Sequence, residues 1–114
     1  MIKNFIISLI LTLTLTLTFS IGEAFSQAKY GADSISCVTN LSLYREYYKQ
    51  KNYAEALNPW RWTFQNCPSA SGNIYKNGPT IIKSMMKNRP YKKHEYVDTL
   101  MQIYDQRIEY FGNE

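Results

Sequence analysis

From Ser36 to Phe111 the apolar side chains recur at every third or fourth position rather than every second, and the glycines and prolines fall mostly between the periodic stretches. That spacing lines up one face of an α-helix, whereas a strand needs alternation. The chain is therefore expected to be all-α, with about four short helices in antiparallel pairs. The first, Cys37 to Gln50, carries Leu43, Tyr44 and Tyr47 on one side, with Ser36 as N-cap and Lys49 near its C-terminal end. The second begins near Tyr53 after a tight turn, places Ala56, Trp60, Thr63 and Phe64 inward, and stops at Cys67-Pro68. A third is expected over Asn73 to Lys87, but Gly78-Pro79 interrupts it. Its core should begin at Pro79, where a proline gives up no hydrogen bond it could have made. The fourth runs from about His94 to Phe111 with Val97, Leu100, Tyr104, Ile108 and Phe111 as its inward stripe and Gly112 as terminator.

The N-terminal segment follows a different logic. Lys3 precedes an apolar run from Phe5 to Phe19, and Gly22, Ala24, Ser26 and Ala28 supply small residues of the kind a signal peptidase accepts. Thr12, Thr14, Thr16 and Thr18 make the run short and dilute for a membrane span, which takes about 20 apolar residues. Residues 1–28 read as a signal peptide, cut after Ala24 or after Ala28; the later site leaves a polar start. Residues 29–36 then form a short linker. The reading implies export to the periplasm, to the outer membrane or to the extracellular space, with membrane attachment only through an uncleaved signal. Cys37 and Cys67 would meet an oxidising compartment, which favours a bridge between them.

Charge and composition exclude several function classes. Thirteen Lys and Arg against nine Asp and Glu give a net charge of +4, without the clustered basic face of a nucleic-acid binder. One His and two Cys fall short of an ordinary metal-ligand set, and no cofactor motif is present. His94, Glu95, Asp98 and Asp105 read as a solvated helix surface with nothing to shift their pKa values. No catalytic residues are expected.

The turn Tyr47-Tyr-Lys-Gln-Lys-Asn-Tyr-Ala-Glu-Ala-Leu57 and the placement of Leu43, Tyr44, Tyr47, Ala56, Trp60, Thr63 and Pro68 resemble one tetratricopeptide repeat laid over residues 37–70. Tyr44 stands where that pattern has a small residue, Asn40 where it has an aromatic, and Pro59 falls inside the second helix. Pro59 is expected to bend the helix or restart it with Asn58 as cap. Residues 71–114 look like a degenerate second pair. The resemblance implies stacked hairpins serving as a protein-binding scaffold, with Leu41, Arg45, Tyr48 and Lys49 on the concave surface. Arg45 and Lys49 beside Tyr48 would suit an acidic protein or peptide partner. Trp60 belongs to the core, and Trp62 faces a ligand or the next repeat. Such arrays take about three repeats to bury a continuous core, and no polar closing helix follows, so the sequence is expected to be the N-terminal portion of a longer array.

Cys37 at the start of one helix and Cys67 at the end of its antiparallel neighbour lie at the same edge of the hairpin, where a disulfide is geometrically sensible. These readings point to an exported, non-enzymatic module for protein–protein contact. The alternative is a small standalone, disulfide-stabilised secreted effector or inhibitor; a secreted hydrolase would need residues beyond Glu114.

Overall fold

The computed structural model describes residues 29–112; the signal-peptide reading of residues 1–28 lies outside them, as do Asn113 and Glu114. The described residues are all-helical. Four α-helices, α1 (Ser34–Lys49), α2 (Tyr53–Asn66), α3 (Asn73–Asn88) and α4 (Lys93–Phe111), follow in order, with a 3-10 turn at Pro90–Lys92 before the last. Each packs against the next, so three successive hairpins share one core.

Helix α1 starts earlier than its expected Ser36 cap. Asp33 is the N-cap, accepting hydrogen bonds from the Ser36 N–H at 3.0 Å and the Ser36 hydroxyl at 2.7 Å. These bonds hold the Asp33 carboxyl below its ordinary range. The expected linker therefore loses residues 34–36 to the helix. The buried face is Cys37, Leu41 and Tyr44, spaced four and three, whereas Leu43 is 45% exposed. Leu43 was expected inward, but the face that holds the bridged Cys37 sets the phase of the helix.

The turn into α2 is tight, as expected. The Asn52 N–H donates to the Tyr47 carbonyl at 2.9 Å and the Lys51 N–H to that of Tyr48 at 3.0 Å. That pair of bonds is a Schellman motif, whose left-handed position is usually glycine. Here Lys51 takes it, with φ of 58°. Helix α2 begins at Tyr53 and runs through Pro59 without restarting at Asn58. Its inward residues are as expected: Ala56, Trp60, Thr63 and Phe64 are all buried.

Helix α3 departs most from expectation, for it runs unbroken from Asn73 to Asn88 through Gly78-Pro79. Proline removes the donor that would serve the Tyr75 carbonyl, yet the flanking turns are held from outside. The Trp60 indole N–H donates to the Ile74 carbonyl at 2.8 Å, and its ring lies so close to Gly78 that an added Cβ would sit 2.6 Å from Cζ2. Trp60 is fully buried and stacks on Phe64 with ring centroids 5.0 Å apart.

Cys37 and Cys67 form a disulfide with Cα atoms 6.2 Å apart, fastening the start of α1 to the end of α2. Both are fully buried. Gly31 lies over this joint at φ +75°, with the Asn66 carbonyl occupying the place where a Cβ would go. Among the described residues no helix is long and apolar enough to cross a membrane.

The bridge closes a separation of 30 residues, which corresponds to about 3–4 kcal/mol in the chain-entropy account. Reduction should lower the melting temperature by several degrees, and the native oxidised protein should offer no alkylatable thiol. Gly78→Ala gives a second expectation. Helix propensity alone would favour alanine by about 1 kcal/mol, but the overpacked indole should reverse the sign and destabilise by about 1–3 kcal/mol in urea titrations. A more stable variant would overturn the Trp60–Gly78 contact.

Candidate functional site

The residues expected on the concave surface do not form one open face. Leu41 is buried. Arg45 was expected to face solvent but is half-buried: its Nη2 donates to the Ser71 hydroxyl at 3.0 Å, and its Nε is shut away from water without an acceptor. It acts as a tie between α1 and the loop before α3, so its charge is not freely presented. Beside it the Tyr44 phenol is pushed up by burial, an effect partly offset by the Asn77 amide that donates to it at 3.5 Å and by Arg45. Tyr48 is half-buried, with its ring edge-to-face against Tyr53 at 5.5 Å across the turn. Only Lys49 stands exposed. Trp62, expected to meet a ligand or a further repeat, is half-buried and rests on the edge of the core.

The more open surface lies on α4, and its orientation follows from one proline. Pro68 has no N–H, so the Phe64 carbonyl at the end of α2 lacks its helical donor. Gln106 of α4 supplies one: its Nε2 donates to the Phe64 carbonyl at 2.7 Å and to the Tyr75 hydroxyl at 3.0 Å. The Tyr75 hydroxyl in turn donates to the Pro68 carbonyl at 2.7 Å. Burial raises the Tyr75 phenol, the Gln106 bond opposes the rise, and Tyr110 and Glu109 add to it. These bonds clamp the second half of α4 across α2 and α3.

Clamped this way, α4 buries Tyr96 and Ile103 and half-buries Leu100. The stripe expected inward turns out instead: Val97, Tyr104, Ile108 and Phe111 are 38%, 44%, 54% and 37% exposed, and Met101 joins them at 59%. Residues 97, 101, 104, 108 and 111 follow the four-three spacing of a helix-pairing seam. Along the solvent side of that seam run Asp98, Asp105 and Glu109, all exposed, so the stripe has an acidic border. Sequence reasoning found the apolar spacing but assigned it to the core. The acids at 98 and 105 were visible too, and were read as a wet surface. His94 and Glu95 are exposed, as expected.

No family model, curated protein or solved structure matches this chain.

Gln106→Met keeps the volume of the side chain but removes both bonds, leaving the Phe64 carbonyl without a donor. A loss of about 1–3 kcal/mol is expected. Amide exchange should accelerate in the C-terminal half of α4 before it does in α1 or α2.

Proposed function

We propose that the chain is an exported, non-enzymatic, tetratricopeptide-like module, and that its working surface is the outer face of α4, which captures an α-helix of a partner protein. The observation that carries this reading is the exposed stripe of Val97, Met101, Tyr104, Ile108 and Phe111. Monomeric proteins rarely leave so continuous an apolar row in water, and such rows mark contact surfaces. Spacing of four and three suits another helix, laid alongside with its own apolar stripe. The acidic border of Asp98, Asp105 and Glu109 suits a partner whose seam carries Lys or Arg on the facing flank. The α1 face favours an acidic partner less, because Arg45 is engaged with Ser71 and Lys49 stands without it.

Three observations support the repeat-like part of the reading: consecutive antiparallel hairpins, the fully buried Ala56 where α1 and α2 pack together, and the Tyr47–Asn52 turn. The Cys37–Cys67 bridge is compatible with export.

The test uses two synthetic amphipathic helices with leucine at four-three spacing, one with lysines on the flank and a twin with glutamates. Three exposed charge pairs at roughly 0.5 kcal/mol each amount to about tenfold in affinity. The lysine peptide should bind about tenfold more tightly by fluorescence anisotropy, and salt should narrow the gap. Ile108→Asp or Met101→Asp should abolish binding while leaving helix content intact, since both side chains face water. Equal affinity for the twins, or binding untouched by these substitutions, would overturn the proposal. Sedimentation that showed a dimer broken by Ile108→Asp would assign the face to a second copy instead.

A further inference from the structure

The net charge of +4 hides an uneven distribution. Residues 56–94 contain no Asp or Glu and hold seven of the thirteen Lys and Arg. Helix α3 arranges part of that charge in a row: Lys76, Lys83 and Lys87, with Thr80 among them, recur at steps of four and three and are all exposed. The row is about 16 Å long at the α-helical rise. The opposite side of the helix buries Ile74, Ile81, Ile82 and Met85. Beyond Lys87 the chain adds exposed Arg89 and Lys93 and half-buried Lys92, around a 3-10 turn that carries Tyr91 into solvent at 79% exposure. Among the described residues no ion pair engages Lys76, Lys83 or Lys87.

Helix stability does not account for the row. Cations at a helix C-terminus answer its dipole, which covers Lys87 and Arg89. Lys76, in the first turn, meets the positive end of the same dipole, and Lys83 and Lys87 stand four residues apart, where like charges repel. A partner of opposite charge relieves both repulsions.

We infer that the α3 row and the corner around Tyr91 form a contact surface for an anionic lipid bilayer, with the lysines reaching its phosphate headgroups and the Tyr91 ring at headgroup level. Three features choose a bilayer over other polyanions. A straight row on the outer side of one helix lies flat on a sheet of charge, and long lysine side chains reach several headgroups at once. Protein interfaces are depleted in lysine, and nucleic acids are recognised chiefly through the planar guanidinium of arginine, whereas this row is built of lysine. An exposed tyrosine, apolar in its ring and polar at its tip, is a residue that membrane interfaces collect. The contact is peripheral: it lies along the outer side of α3 and spans nothing. It does not depend on helix capture at the α4 seam.

The experiment measures cosedimentation of the oxidised protein with phosphatidylcholine vesicles and with vesicles of equal parts phosphatidylcholine and phosphatidylglycerol. Any contribution of the apolar run from Phe5 to Phe19 is common to both compositions and to every variant. A basic residue near an anionic surface contributes about fivefold in affinity, so three lysines should favour the anionic vesicles about a hundredfold. Salt at 1 M, where the Debye length is about 3 Å, should erase the preference. Lys83→Gln with Lys87→Gln should weaken binding to anionic vesicles about 25-fold, with helix content unchanged by circular dichroism. Lys83→Arg with Lys87→Arg should keep it. Lys49→Gln with Lys51→Gln, the same change in charge at the turn between α1 and α2, should leave it nearly unchanged, and so should Ile108→Asn on the seam. Equal binding to the two compositions, an equal loss from the pair at Lys49 and Lys51, or a loss with Ile108→Asn but not with the α3 pair would overturn the inference. A DNA duplex or polyglutamate that bound more tightly than the anionic vesicles through Lys83 and Lys87 would also overturn it, assigning the row to nucleic acid or to an acidic protein.

Discussion

An indole buried among helices has one polar atom to satisfy, and the acceptor it finds decides how its neighbours sit. In this protein the Trp60 N–H reaches the Ile74 carbonyl, and the ring lies on Gly78, where any side chain would hold the helices apart. The bond ties the middle of α2 to the first turns of α3 just ahead of the position where Pro79 removes a rung from the ladder. Phe64 stacks on the same indole and meets Tyr75 edge-to-face, and Tyr75 carries the chain of bonds on to α4. Trp60 thus sets how α2 and α3 sit, and the bonds of Gln106 to Phe64 and Tyr75 fix α4 and its exposed stripe upon them.

The parts of the fold legible in the sequence were those where local rules and tertiary packing agree. The inward stripe of α2, the turn ending near Asn52, the pairing of Cys37 with Cys67 and the stop at Gly112 all follow from spacing, small residues and chain punctuation. The Gly112 N–H donates to the Ile108 carbonyl at 2.9 Å with φ of 71°, as a terminating glycine should. Gly78-Pro79 misled because propensity counts what a helix loses locally. It does not see an indole arriving from another helix to use the notch.

Helix α4 was misread for a different reason. It holds two overlapping apolar series at helical spacing, one through Tyr96, Leu100 and Ile103 and one through Val97, Met101, Tyr104, Ile108 and Phe111. Periodicity identifies both and cannot choose between them. The choice is made by Gln106, which answers a carbonyl left bare by Pro68 many residues upstream. Arg45 illustrates the same point on a smaller scale: its position on α1 was readable, but its engagement with Ser71 was not.

The bridge encloses α1, the turn and α2, and leaves the second half of the chain outside the loop. Pulled from its two ends, the oxidised protein would not pay out the residues between Cys37 and Cys67, about 100 Å of contour at 3.3–3.6 Å per residue. Tension would pass from α1 through sulfur directly to Pro68 and then be borne by the hydrogen bonds and ring contacts that hold α3 and α4. The molecule is thus mechanically two materials, an inextensible N-terminal clip and a yielding C-terminal hairpin, and a partner that tugs on α4 would peel that hairpin away while the clip kept its shape.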